Sequence, residues 1–214
     1  ASAHLLASLQ DLRIYLQEEN VSGLDDFTRD IVEQGLVEFL VVTDHEGRVL
    51  SRGHADDRGD SISDLQVVQD ALQGRSSSGI ERSPVVGLSY FSAQPVYDNQ
   101  NQIMGTVMTG FLLSSNELVD NFKELLGVEA TFFDDDTRAA TTIMQNGQRA
   151  VGTRMDNPEV IETVINQGGE FIDRNNILGI WYDTVYWPIE GIHGEVQGMY
   201  FIGQPRAAIE GVQQ

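Results

Sequence analysis

One pattern occurs twice in this chain. Pro95-Val96-Tyr97-Asp98 is followed by Gly105 and Gly110, and Pro188-Ile189-Glu190-Gly191 by Gly198 and Gly203, with the same spacings in both copies. Upstream of each lies a short helical pattern that ends in glycine, Leu65–Gly74 and Pro158–Gly168. The offset is about 93 residues throughout. A repeat of that length is a duplicated small domain and not a solenoid unit. The 214 residues therefore divide into two modules of about 100 residues. A duplicated domain without a catalytic motif points to sensing or binding before chemistry.

The hydrophobic pattern fills in each module. Residues 3–35 read as one long amphipathic helix, with Leu5, Leu6, Leu9, Leu12, Leu16, Leu24, Phe27, Ile31 and Val32 at three- and four-residue steps. Val21-Ser22 and Gly23 are the candidate interruption and Gly35 the candidate C-cap. Such a helix is too long for one small module, so it is expected to run along both or to dimerise. Module one follows with strand 36–43, a turn at 44–47, strand 48–52, a polar loop at 55–63 and helix 65–72. Strands 79–82, 88–97 and 103–113 complete it. Module two repeats the order: helix 116–126 with Ser114 or Ser115 as cap, strand 128–133, an acidic turn at 134–136, strand 137–144, a loop at 148–155 and helix 158–167 with Pro at its first turn. Strands 169–173, 180–188 and 196–203 close it, and 207–212 begins another helix. The expected fold class is α+β: a long N-terminal helix (1–35), then two tandem PAS-like modules (36–113 and 114–206), each a five-stranded antiparallel sheet with flanking helices.

Charge narrows the partners. The net charge of −20 argues against nucleic acid, whose phosphates demand a basic surface, and against anionic lipid head groups. Lys123 is the single lysine. Acidity with so little lysine is common in proteins adapted to high salt, and an ordinary solvated acidic surface explains it equally well. The absence of cysteine excludes disulfides and thiolate chemistry and fits an oxidising compartment. No apolar stretch approaches the ~20 residues of a membrane span, and no signal peptide is visible.

The segment Ala130–Met155 carries a Thr-hydrophobic-Phe stretch, an acidic turn, Thr-Arg, Ala-Thr and a Gly-x-Arg-Ala-x-Gly-Thr loop. Tyr182-x-Thr184-x-Tyr186-Trp187-Pro188-Ile189 and the Gly198–Gly203 strand follow. With these the chain resembles the double Cache domain, the extracellular sensor of bacterial chemoreceptors, methyl-accepting chemotaxis proteins among them, and of some histidine kinases. Module one resembles it more loosely, through Thr43-Asp44-x-x-Gly47, Gly59-Asp60-Ser61, Ala71-Leu72-x-Gly74 and Pro95–Asp98. Relatives often place an arginine four residues before that proline, where this chain has Phe91. The resemblance implies a periplasmic or extracellular domain of an inner-membrane protein, anchored by transmembrane helices before the N-terminal helix and after Ala207. It also implies a homodimer through that helix, a membrane-distal first module and a small-molecule ligand: a short carboxylate such as acetate, or an amino acid.

Candidate ligand residues follow from alternation along strands. Tyr182, Thr184 and Tyr186 share one face; Arg138 and Thr141 lie on a strand beside the acidic turn. An arginine fork with hydroxyls and phenols suits a small carboxylate, and the bland reading pairs Arg138 with Asp134–Asp136 at the surface. Arg149 and Arg154 sit in the loop over that face, as lid ligands or loop anchors. In module one, Arg52 and His54 face the same way and Arg82 and Tyr90 are within reach; Phe39, Val41, Met104 and Met108 make that pocket more apolar. Module two holds the richer polar set, and module one stays open. Trp181 and Trp187 share a face as core or pocket wall. Asp134–Asp136 lacks EF-hand spacing and the histidines lack ligand spacing, so neither a metal nor a cofactor is expected. No nucleophile elbow, phosphate loop or metal signature supports an enzyme. The alternatives are a histidine-kinase or diguanylate-cyclase sensor and a dimerisation module that binds nothing.

Overall fold

The computed structural model describes the backbone of residues 2–206, and side chains from Gln10 onward. The expected helix at 207–212 lies outside the described residues. Two compact units emerge, 1–112 and 113–214.

In the first unit, α1 (Ser2–Gln17) and α2 (Val21–Glu33) replace the single helix expected from periodicity. The break falls at 18–20, where Glu19 takes a φ of +51° and Asn20 caps α2 by accepting from the Gly23 amide at 2.9 Å. Gly23 is thus inside the second helix; a Cβ there would lie 2.5 Å from the Tyr15 ring, so glycine lets the two helices meet. Gly35, at φ +71°, ends α2 by donating to Val32 O at 2.9 Å. Then come β1 (Phe39–Asp44), β2 (Val49–Arg52), α3 (Gln66–Leu72), β3 (Ser77–Ser83), β4 (Gly87–Tyr97) and β5 (Ile103–Leu112). The antiparallel sheet runs β2-β1-β5-β4-β3. Leu12 and Leu24 bury against Val42 and Val96 on one face, with Tyr15, Leu16 and Phe27 around them. α3 buries Val67, Val68 and Ala71.

The second unit repeats this order. α4 (Asn116–Leu126) precedes β6 (Glu129–Asp134) and β7 (Thr137–Thr141). Ser115 is the N-cap by position, but its side chain makes no capping bond. β7 stops at Thr141, short of the expected Met144; residues 144–149 instead form a small hairpin, β8 (Met144–Gln145) and β9 (Gln148–Arg149). α5 (Pro158–Val160) continues as a wider π-helical turn through Ile161–Asn166. β10 (Phe171–Ile177), β11 (Ile180–Glu190) and β12 (Val196–Pro205) complete a sheet of order β10-β11-β12-β6-β7. One face of it buries Phe133, Phe171, Tyr186, Met199 and Phe201 under Met155, Val160 and Val164. Lys123, on α4, pairs with Glu129 at 2.7 Å.

The repeated glycines have one physical cause in both units. A Cβ on Gly105 would overlap the carbonyl oxygen of Thr43, and one on Gly198 that of Phe133. In each sheet the last strand lies that close to the first, and only glycine fits. No described helix is long and apolar enough to cross a membrane.

Candidate functional site

The covered face of the second sheet gathers most of the module-two set. Register fixes the faces: Phe133 pairs with Arg138 and Thr131 with Thr141 across a bulge, while Tyr186 pairs with Phe171 and Phe201. Arg138, Thr141, Tyr182, Thr184 and Tyr186 are all buried: alternation anticipates it for Tyr182, Thr184 and Tyr186, and the bulge brings Arg138 and Thr141, three positions apart, to the same side.

Arg138 is the unusual member. It is 3% exposed, and among the described residues none of its contacts is a carboxylate. One terminal nitrogen donates to Thr153 Oγ1 at 3.0 Å and to the Arg154 carbonyl at 3.2 Å. The guanidinium lies 5.0 Å from the Phe133 ring centre, a cation–π contact. Its Nε is buried with no hydrogen-bond partner. Desolvation lowers its pKa, opposed by the charges of Tyr186 and Asp156. A surface pair with the acidic turn is therefore not what forms: Asp136 pairs with Arg154 instead.

Beside it, Tyr186 is fully buried, and burial pushes its phenol up to about 12. Its oxygen accepts from Asn175 Nδ2 at 3.0 Å, and Asn175 Oδ1 accepts from Asn157 Nδ2 at 3.0 Å. Asn157 Oδ1 in turn accepts from the Glu159 amide at 3.0 Å, capping α5. Asn175, Asn157 and Thr153 were not among the expected site residues. The strand containing Asn175 continues past the expected end at Asp173, which hides its inward position.

The remaining candidates are engaged within the fold. Thr141 Oγ1 shares a 2.6 Å bond with Thr131, and Thr184 donates to the Asp173 carbonyl at 2.5 Å. Arg149 is a loop anchor: Asp120, on α4, holds it with two bonds of 2.8 Å, and it also donates to the Thr141 carbonyl at 2.9 Å. Tyr182 is buried, and desolvation raises its pKa. Trp181 is 55% exposed and no core residue, whereas Trp187 packs on Tyr200 at 5.7 Å.

In the first unit, Arg52 is buried but answered. Asp60 holds both terminal nitrogens, at 2.8 and 2.6 Å, and Asp57 adds its carbonyl at 2.8 Å and carboxylate at 3.2 Å. The hydrogen bonds it donates to Asp60 raise its pKa. His54 packs edge-on against Phe39; its Nδ1 is buried without a partner, and desolvation lowers its pKa. A cavity of about 30 Å³ remains between Arg52, His54, Phe39, Val41, Phe91 and Met108, room for about one water. Met104 packs on the opposite side, with α1 and α2. Tyr90 also turns away: it stacks on Phe111 at 5.4 Å, one residue from the inward Phe91. Arg82 is exposed on β3.

Residues 112–214 match the single Cache domain 3 family model. The Cache match thus covers the second unit, including Ala130–Met155. No curated protein matches the sequence. Among solved structures, the sensor domain of the Vibrio cholerae histidine kinase DctB is similar at 11% identity and a TM-score of 0.54, over 94% of this chain and 85% of that one. The ligand-binding domain of the Campylobacter jejuni chemoreceptor Tlp3, in complex with 4-methylisoleucine, is similar at 11% identity and 0.53, over 96% and 83%. The ligand-binding domain of Mlp24 with asparagine follows at 12% and 0.50, over 95% and 83%. These likenesses span both units and show the fold.

Proposed function

We propose that this chain is the extracytoplasmic ligand-sensing region of a transmembrane receptor of the chemoreceptor type, built as two tandem Cache modules. It binds a small organic acid in the second module, through Arg138. The observation that carries this reading is a guanidinium buried on the covered face of the sheet with, among the described residues, no carboxylate to answer it and no partner for its Nε. A buried charge without a counter-ion is costly, and an anionic ligand supplies one. The Cache match of the second half and the neighbours' fold support the sensor class. Ligands named for the neighbours, 4-methylisoleucine for Tlp3 and asparagine for Mlp24, keep amino acids as the second ligand class.

Binding favours one packing of the sheet under α5, and the shift passes along β12 toward a second membrane span. A ligand drives this only by its different affinity for the two states. The protein works as a homodimer, anchored by membrane spans flanking the domain. Histidine-kinase and cyclase receptors are the alternative outputs. The test is calorimetry of small carboxylates against the wild type and Arg138→Ala. We expect binding to the wild type and at least a tenfold loss in the variant, about 1.4 kcal/mol, with an unchanged circular dichroism spectrum. Equal affinity in a folded Arg138→Ala protein removes the assignment.

A further inference from the structure

The helix-covered face of the first sheet ends in a cavity that is independent of Arg138. α1 stops at Gln17 and α2 starts at Val21, and the break between them lies across this cavity from the β1–β2 turn. Its volume is about 450 Å³, with Tyr15, Leu16, Leu24, Leu50 and Met104 in the wall. These five belong to the apolar cluster that joins both helices to the sheet, so the cavity is an unfilled end of that cluster. Leu24 is buried, while the other four are only half-buried. An apolar wall, a few polar groups and a volume of this order are what a small-molecule pocket needs.

The charged groups around it are acids. Glu19 comes from the helix break and Asp44 from the turn, and the exposed His45 completes the rim. The backbone fixes both acids. Glu19 holds a φ of +51°, which a non-glycine residue keeps only where its surroundings impose it, here between the end of α1 and the Asn20 cap. Asp44 Oδ1 accepts from the Glu46 and Arg48 amides at 2.8 and 3.0 Å, and Oδ2 is left for another partner. Arginines close in sequence are engaged elsewhere: Arg48 with Glu46 at 3.9 Å and Arg13 with Asn99 at 3.1 Å. Among the described residues, no arginine or lysine lines the cavity.

We infer that this cavity is a second binding site, for an organic amine with an apolar body and no acid group. The ammonium meets Glu19 and Asp44, and the apolar body takes Tyr15, Leu50 and Met104 out of water. An exposed ion pair adds little affinity by itself, so the apolar wall supplies the grip and the two acids select the sign. A carboxylate on the ligand would face both acids in a chain of net charge −20 and is repelled. Because the wall is drawn from α1, α2, β2 and β5, an occupant also ties the helix break to the sheet.

Three probes of one skeleton test this: phenethylamine, 2-phenylethanol, which lacks the charge, and L-phenylalanine, which adds a carboxylate. Each is titrated into wild-type protein carrying ¹³C-methyl methionine. Phenethylamine is expected to shift the Met104 signal and to leave Met108, on the opposite face of the same sheet, in place. It is expected to bind at least about fivefold more tightly than the other two, and Glu19→Gln to weaken it at least about threefold. A Met104 signal unmoved by phenethylamine overturns the site. Phenylethanol or phenylalanine binding as tightly at Met104, or an unchanged phenethylamine affinity in Glu19→Gln, overturns the amine assignment. None of these results touches the Arg138 reading, which small carboxylates test.

Discussion

Arg138 and Arg52 are the same residue type in two copies of one sheet, and they meet opposite fates. Arg52 has Asp57 and Asp60 within eight positions of itself and is neutralised by its own loop. Arg138 has only hydroxyl and carbonyl oxygens. Residue-scale tests follow from burial and close approach. Gly198→Ala drives a methyl group into the Phe133 carbonyl and is expected to cost about 2–3 kcal/mol, read as a lower denaturant midpoint. Tyr186 gives a pH test with a defined sign. Its folded pKa of about 12 lies above the ordinary 10.0, so the folded state holds the proton longer. The stabilisation is complete below pH 10 and lost as pH rises through 12, about 2–3 kcal/mol in all. Denaturation midpoints in the wild type should fall over that window more steeply than in Tyr186→Phe.

At the scale of elements, the sheet was the most legible part of the sequence. Each expected strand lies within a few residues of an observed one, because alternating burial and glycine punctuation carry the signal. The inward set of Tyr182, Thr184 and Tyr186 was readable for the same reason. What sequence could not carry was partnership. Arg149 meets Asp120 from 29 residues away, a pairing that no local period encodes. The N-terminal helix failed differently: its apolar period continues across Glu19, while the backbone turns there under the Asn20 cap. The Arg149 clamp predicts a separation of roles. Arg149→Ala should speed amide exchange across 141–150 by freeing the β8–β9 hairpin from α4, and leave the affinity for small carboxylates unchanged. A matching loss of affinity would make Arg149 a ligand contact after all.

At the scale of the whole molecule, a net charge of −20 makes the folded chain repel itself. Screening relieves compact and extended states unequally, because charges lie closer together in the former. The melting temperature should therefore rise from dilute buffer to molar sodium chloride, and a flat or falling curve would count against self-repulsion as a burden on this fold. The scarcity of lysine has a practical side. Lys123 is the only lysine, half exposed on α4 and held by Glu129, and the same two charges act on Tyr182. An amine-reactive dye thus has one lysine to label. It would sit in the second unit, electrically coupled to the buried Tyr182, where a fluorescence change on adding an acid reports occupancy without an engineered cysteine.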